Sequence, residues 1–243
     1  MPLSSPYAPN QPLNEVVSAA RSATIEDVVA RMEAIDSLLP DNDGLKWFNR
    51  LYLMVTEQVD LHPPGGAWQS PGWLTTLDTI FADLYFGAVR GTLNGETVPS
   101  AWNAIFETRF QSGVDRIQFA VAGMNAHINH DLALAVLSTN TEMNVTPTPG
   151  SPEYADYQSI NNLLNGMMPS ALNMLATDVL GVVAEDTGKV GRILAFWNIC
   201  RARELAWDFS IHLRSISGLT RDAALGAQDA MTGVLGRAIL AAV

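Results

Sequence analysis

From Phe119 to Val136 the chain is apolar in nearly every direction around a helix. Yet the run "GMNAHINHDLALAV" (residues 123–136) sets two histidines, an aspartate and two asparagines inside it. A helix that is hydrophobic all round belongs in a core rather than on a surface. This segment therefore requires other helices to surround it, and its polar groups need partners, because unpaired charge in a core is costly. At about 100° per residue, with His127 set to zero, His130 falls near about 300° and Asp131 near about 40°, on one face. Asn125 and Asn129 fall at about 160° and about 200°, on the opposite face.

The rest of the chain supplies the surrounding helices. Thr24 is read as an N-cap with Asp27 at the third helical position, opening a helix whose Val28, Val29, Met32, Ile35 and Leu38 recur at helical spacing. "PDNDG" ends it, "LKWFNRLYLMVTEQV" repeats the pattern, and "PGWLTTLDTIFADLYFGAV" follows the loop His62–Trp68. That loop carries Pro63-Pro64-Gly65-Gly66 and reads as a surface turn, with Trp68 as a hydrophobic lid in the sharper reading. "AWNAIFETRF" and a long segment over about 112–139 come next. Beyond the Pro- and Thr-rich "TEMNVTPTPGSPEY", helices are expected at about 156–166, 169–184, 188–215 and 220–241. Alternating β patterns are scarce and no repeat period is present. The expected architecture is all-α: an irregular arm over residues 1–12, then one domain over 13–243, a bundle of about eight or nine helices around a buried central helix.

Bulk properties narrow the function classes. Apolar residues make up 48% of the 243, enough for a substantial core, and the net charge of −11 opposes nonspecific binding to nucleic acid or an anionic membrane. The single cysteine, Cys200, excludes an internal disulfide framework and a zinc–thiolate cluster, and reads as a small buried hydrophobe. No signal peptide and no apolar run long enough for a membrane span is evident, so a soluble cytoplasmic protein is expected. The apolar end "GRAILAAV" offers a route to a homodimer; docking on its own domain is the alternative.

The His127, His130 and Asp131 face admits three functional readings. The trio binds one divalent transition metal, since imidazole and carboxylate suit zinc, iron or manganese. Alternatively, Asp131 orients a histidine that works as general acid or base near neutral pH. In the third, the cluster is a polar ligand-binding patch. Against all three stands a buried hydrogen-bond network that fixes helix packing. A second surface is the stripe Glu204, Asp208 and His212 with Arg201 and Trp197. It is read as a solvated face or as the opposite wall of the site, with Glu204 the first choice to join it. Asp78 and Asp83 lie in the aromatic-rich "LDTIFADLYF", and Asp83 either contributes a ligand or an acid or pairs with Arg90 or Arg109. Arg109 and Arg116 are read as salt-bridge partners, with an anion clamp as the alternative.

His127-x-x-x-Asp131 resembles a piece of the all-helical zinc phospholipase C and single-strand nuclease superfamily, which implies metal ligation at those two residues. A broader resemblance rests on "WLTTLDTIFADLYF", "VPSAWNAIFETRF", "FAVAGMNAHINHDLALAV" and "WNICRARELAW". Across about residues 40–215 the chain is similar to an uncharacterised bacterial all-helical family of unknown function. That resemblance implies a shared helical fold and no activity. The function expected from the residues is an enzyme acting on a small, apolar organic molecule in a helical pocket, by hydrolase, lyase or cyclase/isomerase chemistry. A noncatalytic small-molecule binding or helical interaction protein is the rival reading.

Overall fold

The computed structural model describes residues 10–176 and 198–241. All of its regular elements are helical. In order they are α1 (Gln11–Val17), α2 (Ile25–Leu38), α3 (Gly44–Leu61), a short 3-10 turn (Pro64–Gly66), α4 (Pro71–Leu93), α5 (Ser100–Phe106) and α6 (Arg116–Ala126). A π-turn (His127–Asp131) then leads without a break into α7 (Leu132–Glu142). α8 (Pro152–Ala176), α9 (Ile199–Ser215) and α10 (Gly218–Ala241) follow. With α6, the π-turn and α7 taken as one helix, the described residues form nine, within the expected eight or nine.

Local chemistry explains the helix starts. Thr24 accepts a hydrogen bond from the Asp27 amide at 3.1 Å while Asp27 accepts from the Thr24 amide at 3.1 Å, the reciprocal cap expected from the sequence. α4 and α5 lack such local caps and take carboxylates from distant helices. Asp156 accepts from the amides of Gln69 (2.9 Å) and Ser70 (2.6 Å), and Asp229 from those of Ser100 and Ala101, both at 2.9 Å. A negative charge is favourable at a helix N-terminus, where backbone amides have no intrahelical partner.

The central helix is enclosed as its all-round apolarity demands. All eleven of its residues from Ile117 to His127 are buried. α3 and α8 pack against α6, α5 and α10 close another side, and α4 and α9 cover α7. Close approach depends on glycine where a side chain would collide: a Cβ on Gly123 would overlap the Phe48 ring of α3. Likewise, Gly233 and Gly236 of α10 lie against Ser100 and Ala104 of α5.

Several boundaries differ from the sequence reading. α1 begins at Gln11, inside the expected arm, whose first nine residues lie outside the described ones. The break expected between residues 166 and 169 is absent: Pro169 lies inside α8. Leu164, Ala171 and Leu175 keep one buried face through that point, and their burial offsets the missing proline N–H. The helix boundaries expected within 177–197 fall outside the described residues. None of the described helices is long and apolar enough to cross a membrane.

Gly123→Ala is expected to destabilise the protein by about 1–3 kcal/mol, through forced displacement of Phe48. Urea unfolding followed by circular dichroism measures this, and an unchanged midpoint would contradict the close α3–α6 approach.

Candidate functional site

Asp131 is the hub of the polar cluster. Its Oδ2 accepts from His127 Nδ1 at 2.9 Å and from the indole Nε1 of Trp102 at 2.9 Å, while Oδ1 accepts from His130 Nδ1 at 2.7 Å. Burial works against the carboxylate charge, but the hydrogen bonds and charges of the two histidines outweigh it and hold Asp131 below the usual range. An ionised carboxylate only accepts, so both imidazoles carry a proton on Nδ1.

The π-turn makes this arrangement accessible. The Leu132 amide donates to the His127 carbonyl, five residues back, in place of the usual four. The wider turn brings the neighbouring side chains of His130 and Asp131 onto one another. The simple helical projection placed both asparagines opposite the cluster. In the structure Asn129 donates to Asn125 Oδ1 at 2.9 Å and Asn125 donates to the Thr232 carbonyl at 3.0 Å, so this pair faces α10. Gln228 of α10 adds a hydrogen bond to the Asn129 carbonyl.

The two histidines occupy different environments. His127 is fully buried. Its ring stacks on Phe81, with centroids 3.5 Å apart and planes 8° apart, and meets the Tyr52 ring at 4.5 Å, with Phe48, Trp102 and Tyr85 completing an aromatic cage. Burial lowers its pKa and dominates the opposing pull of Asp131, so the ring is neutral at pH 7. His127 Nε2 therefore presents a lone pair inside the cage, without a hydrogen-bond partner. For His130, burial again opposes the charge, but Asp131 and the field of Asp229, whose Oδ1 is 3.7 Å from His130 Nε2, raise its pKa.

A second set of buried polar atoms flanks the cage. Tyr52 Oη, Thr56 Oγ1 and Asp78 Oδ2 are buried without an aligned hydrogen-bond partner. Burial, together with Asp78 and Asp131, raises the Tyr52 hydroxyl well above its ordinary value, against the opposing pull of a hydrogen bond with Thr56. Burial, reinforced by Asp60, pushes the Asp78 carboxyl up to about 7.

A cavity of about 280 Å³ opens on the neighbouring faces of α3 and α6, one helical turn before His127. Leu51, Val55, Val121 and Met124 form one wall, and Met168 and Leu172 of α8 face them. The lining residues are all apolar and do not include His127, His130 or Asp131. This cavity and the cluster share the central helix but no lining residue.

The chain matches a family of unknown function, DUF5995, over residues 25–242. The chain belongs to the DUF5995 family. No curated protein and no solved structure matches it.

In this DUF5995 chain the structure joins His127, His130 and Asp131 but leaves Glu204 apart. Glu204 lies partly exposed on α9 and bonds Arg201 at 2.9 Å, with Asp208 and His212 exposed along the same helix. The stripe is a solvated face, and Trp197 lies outside the described residues. Asp83 stands 3.9 Å from Arg31, not beside Arg90 or Arg109. Arg109 forms a buried ion pair with Asp43, and Arg116 lies over the Trp47 ring at 3.9 Å. Trp68 is half-buried against the core, and Cys200 is half-buried with its Sγ 3.7 Å from Asn165 Oδ1. Among the described residues no group of three or more His, Cys, Asp or Glu side chains is disposed to hold a metal ion. The trio bond one another instead.

The sequence reading missed Trp102, Asp229 and the cage residues. Trp102 reads as one more core aromatic in "VPSAWNAIF". Asp229 had a visible signal, as an acid in the otherwise uncharged run "AALGAQDAMTG".

Two pH effects follow. Because the His130 pKa is raised above its ordinary 6.5, its contribution to stability is complete below that value and is lost as pH rises through the folded-state pKa. The stability gap between wild type and His130→Gln should therefore be largest in mild acid and shrink with rising pH in thermal melts; a gap that widens would contradict the clamp. Asp78, also raised, has the opposite linkage from a paired carboxylate: it weakens the fold as pH climbs from about 4 toward about 7. Asp78→Asn should accordingly be more stable than wild type at about pH 8 and equal to it at about pH 4 and below. Urea titrations at both pH values provide the comparison.

Proposed function

We propose that the protein is a small-molecule enzyme in which the neutral His127 acts as general base through Nε2. Asp131 orients the ring and Trp102 and His130 hold Asp131. The carrying observation is the orphaned Nε2: His127, fully buried and held by Asp131 through Nδ1, keeps a lone pair without a hydrogen-bond partner inside the aromatic cage, and such a group costs stability. An imidazole whose other nitrogen donates to a carboxylate has its tautomer set, which is what proton abstraction at Nε2 requires.

The surroundings support proton transfer over metal ligation, because both carboxylate oxygens and both Nδ1 atoms are already engaged with one another. They also support an apolar substrate. The cage around His127 is aromatic and the adjoining cavity between α3, α6 and α8 is apolar, so a small hydrophobic body would sit in the cavity with its reacting proton toward the cage. Tyr52 Oη and Asp78 Oδ2 are the polar groups available to a developing charge or a transferred proton, Asp78 being half protonated near neutrality. The noncatalytic alternative keeps the same cavity as a binding site and gives His127 no chemical part.

Nitrogen-15 NMR of the imidazoles should find His127 neutral, protonated on Nδ1, and titrating below 6.5. A protonated His127 at neutral pH, or the opposite tautomer, would sink the base reading. Among chromogenic acyl esters and carbon acids, any probe turned over by this site should lose about 10²- to 10⁴-fold in kcat on His127→Gln. Equal turnover by the variant would leave binding as the function.

A further inference from the structure

α10 has two faces of different character. One is docked: Thr232, Gly233, Gly236 and Leu240 are buried, and Asp229 and Gln228 bond to α5 and to the π-turn. The other face points away from the described core. Along it, Thr220, Ala224, Ala227, Met231, Val234, Ala238 and Ala241 succeed one another at intervals of four, three, four, three, four and three residues. Ala224 is half-buried and the others are exposed, Met231 by 74% and Val234 by 69%. An uninterrupted four–three spacing of uncharged residues is the seam by which one helix packs along another. No position of this seam bears a charge, in a chain whose net charge is −11.

We infer that this seam is a homodimer interface in which α10 pairs antiparallel with α10 of a second copy. The distribution of bulk along the seam argues for self-pairing and for its direction. The large residues Met231 and Val234 follow a small-residue half formed by Ala224 and Ala227. Antiparallel pairing sets Met231 against the partner subunit's Ala227 and Val234 against the partner subunit's Ala224, large into small at even separation. Parallel pairing would stack Met231 on its own copy and leave a gap at Ala224 and Ala227, which close packing disfavours. A two-fold axis makes both halves of the contact equivalent, so one self-complementary stripe closes the assembly.

Charge and area agree with this occupant. Two copies each carrying −11 repel, and an uncharged seam lets them approach without adding a like-charge contact. The charged residues at its borders include Arg221 and Arg237, the latter paired with Glu107 at 2.8 Å. A helix of 24 residues is about 36 Å long. With Leu235 at its flank the stripe would bury on the order of 1,000 Å² in total, near the lower bound for a specific interface. A membrane surface is a poor match, because anionic lipid repels a chain of net charge −11.

Light scattering on the full chain after size-exclusion chromatography, at micromolar concentrations, should give twice the chain mass. Met231→Glu combined with Val234→Glu should give a monomer with unchanged helical circular dichroism, whereas Leu219→Glu, off the seam, should remain dimeric. In a Cys200→Ser background, a mixture of Ala227→Cys and Met231→Cys chains should form an interchain disulfide between the two variants under mild oxidation. A monomeric wild type, a dimer that survives both glutamates, or a mixture that fails to cross-link would each overturn the proposal. The cross-link decides the matter if the double glutamate variant loses helicity.

Discussion

A single buried carboxylate organises this protein. Asp131 has left water for the centre of the bundle, a transfer that is costly unless strong hydrogen bonds replace the hydration shell. Three donors replace it, two from its own π-turn and one from Trp102 of α5. Those bonds have structural consequences beyond the charge. They orient His127 toward the aromatic cage, tie α5 to the central helix, and place His130 where its second nitrogen meets Asp229. Asp229 in turn caps α5, the helix that carries Trp102, so the chain of interactions closes on itself through the π-turn, α5 and α10.

That closure separates two roles for two similar side chains. His130 sits between two carboxylates and gains charge, fastening helices together. His127 sits among rings, loses charge, and keeps a lone pair free. Environment, not residue type, sets the charge of each ring. The same economy appears in α10, which meets α5 through glycines and the π-turn through amides, and keeps its uncharged stripe on the far side.

Much of the fold was legible because local chemistry states it. The Thr24–Asp27 cap, the all-helical periodicity and the burial of the central helix follow from spacing and side-chain type, and the His127, His130 and Asp131 grouping follows from helical geometry. Other readings failed where the outcome depended on neighbours. Glu204 shares its spacing with Asp208 and His212, but spacing cannot say whether a stripe meets a site or water; α9 turns Ala202, Ala206 and Trp207 inward and leaves Glu204 to Arg201. Trp102 was hidden because a tryptophan's apolar body accounts for its burial without revealing that its N–H donates. The π-turn was hidden because apolar residues all around a helix fit either hydrogen-bond register.

The sequence by itself determined that this chain is a helical bundle and that a carboxylate with two imidazoles must be accommodated inside it. Periodicity and the cost of burying polar groups are local properties, written in consecutive residues. Only the tertiary structure decided how they are accommodated: that Trp102 and Asp229, 29 and 99 residues from Asp131 and His130 along the chain, complete the network, and that the apolar cavity between α3, α6 and α8 shares no lining residue with the cluster. Those outcomes depend on which helices meet, and that is set by close contacts such as Gly123 on Phe48 and Gly233 on Ser100, between segments distant in sequence.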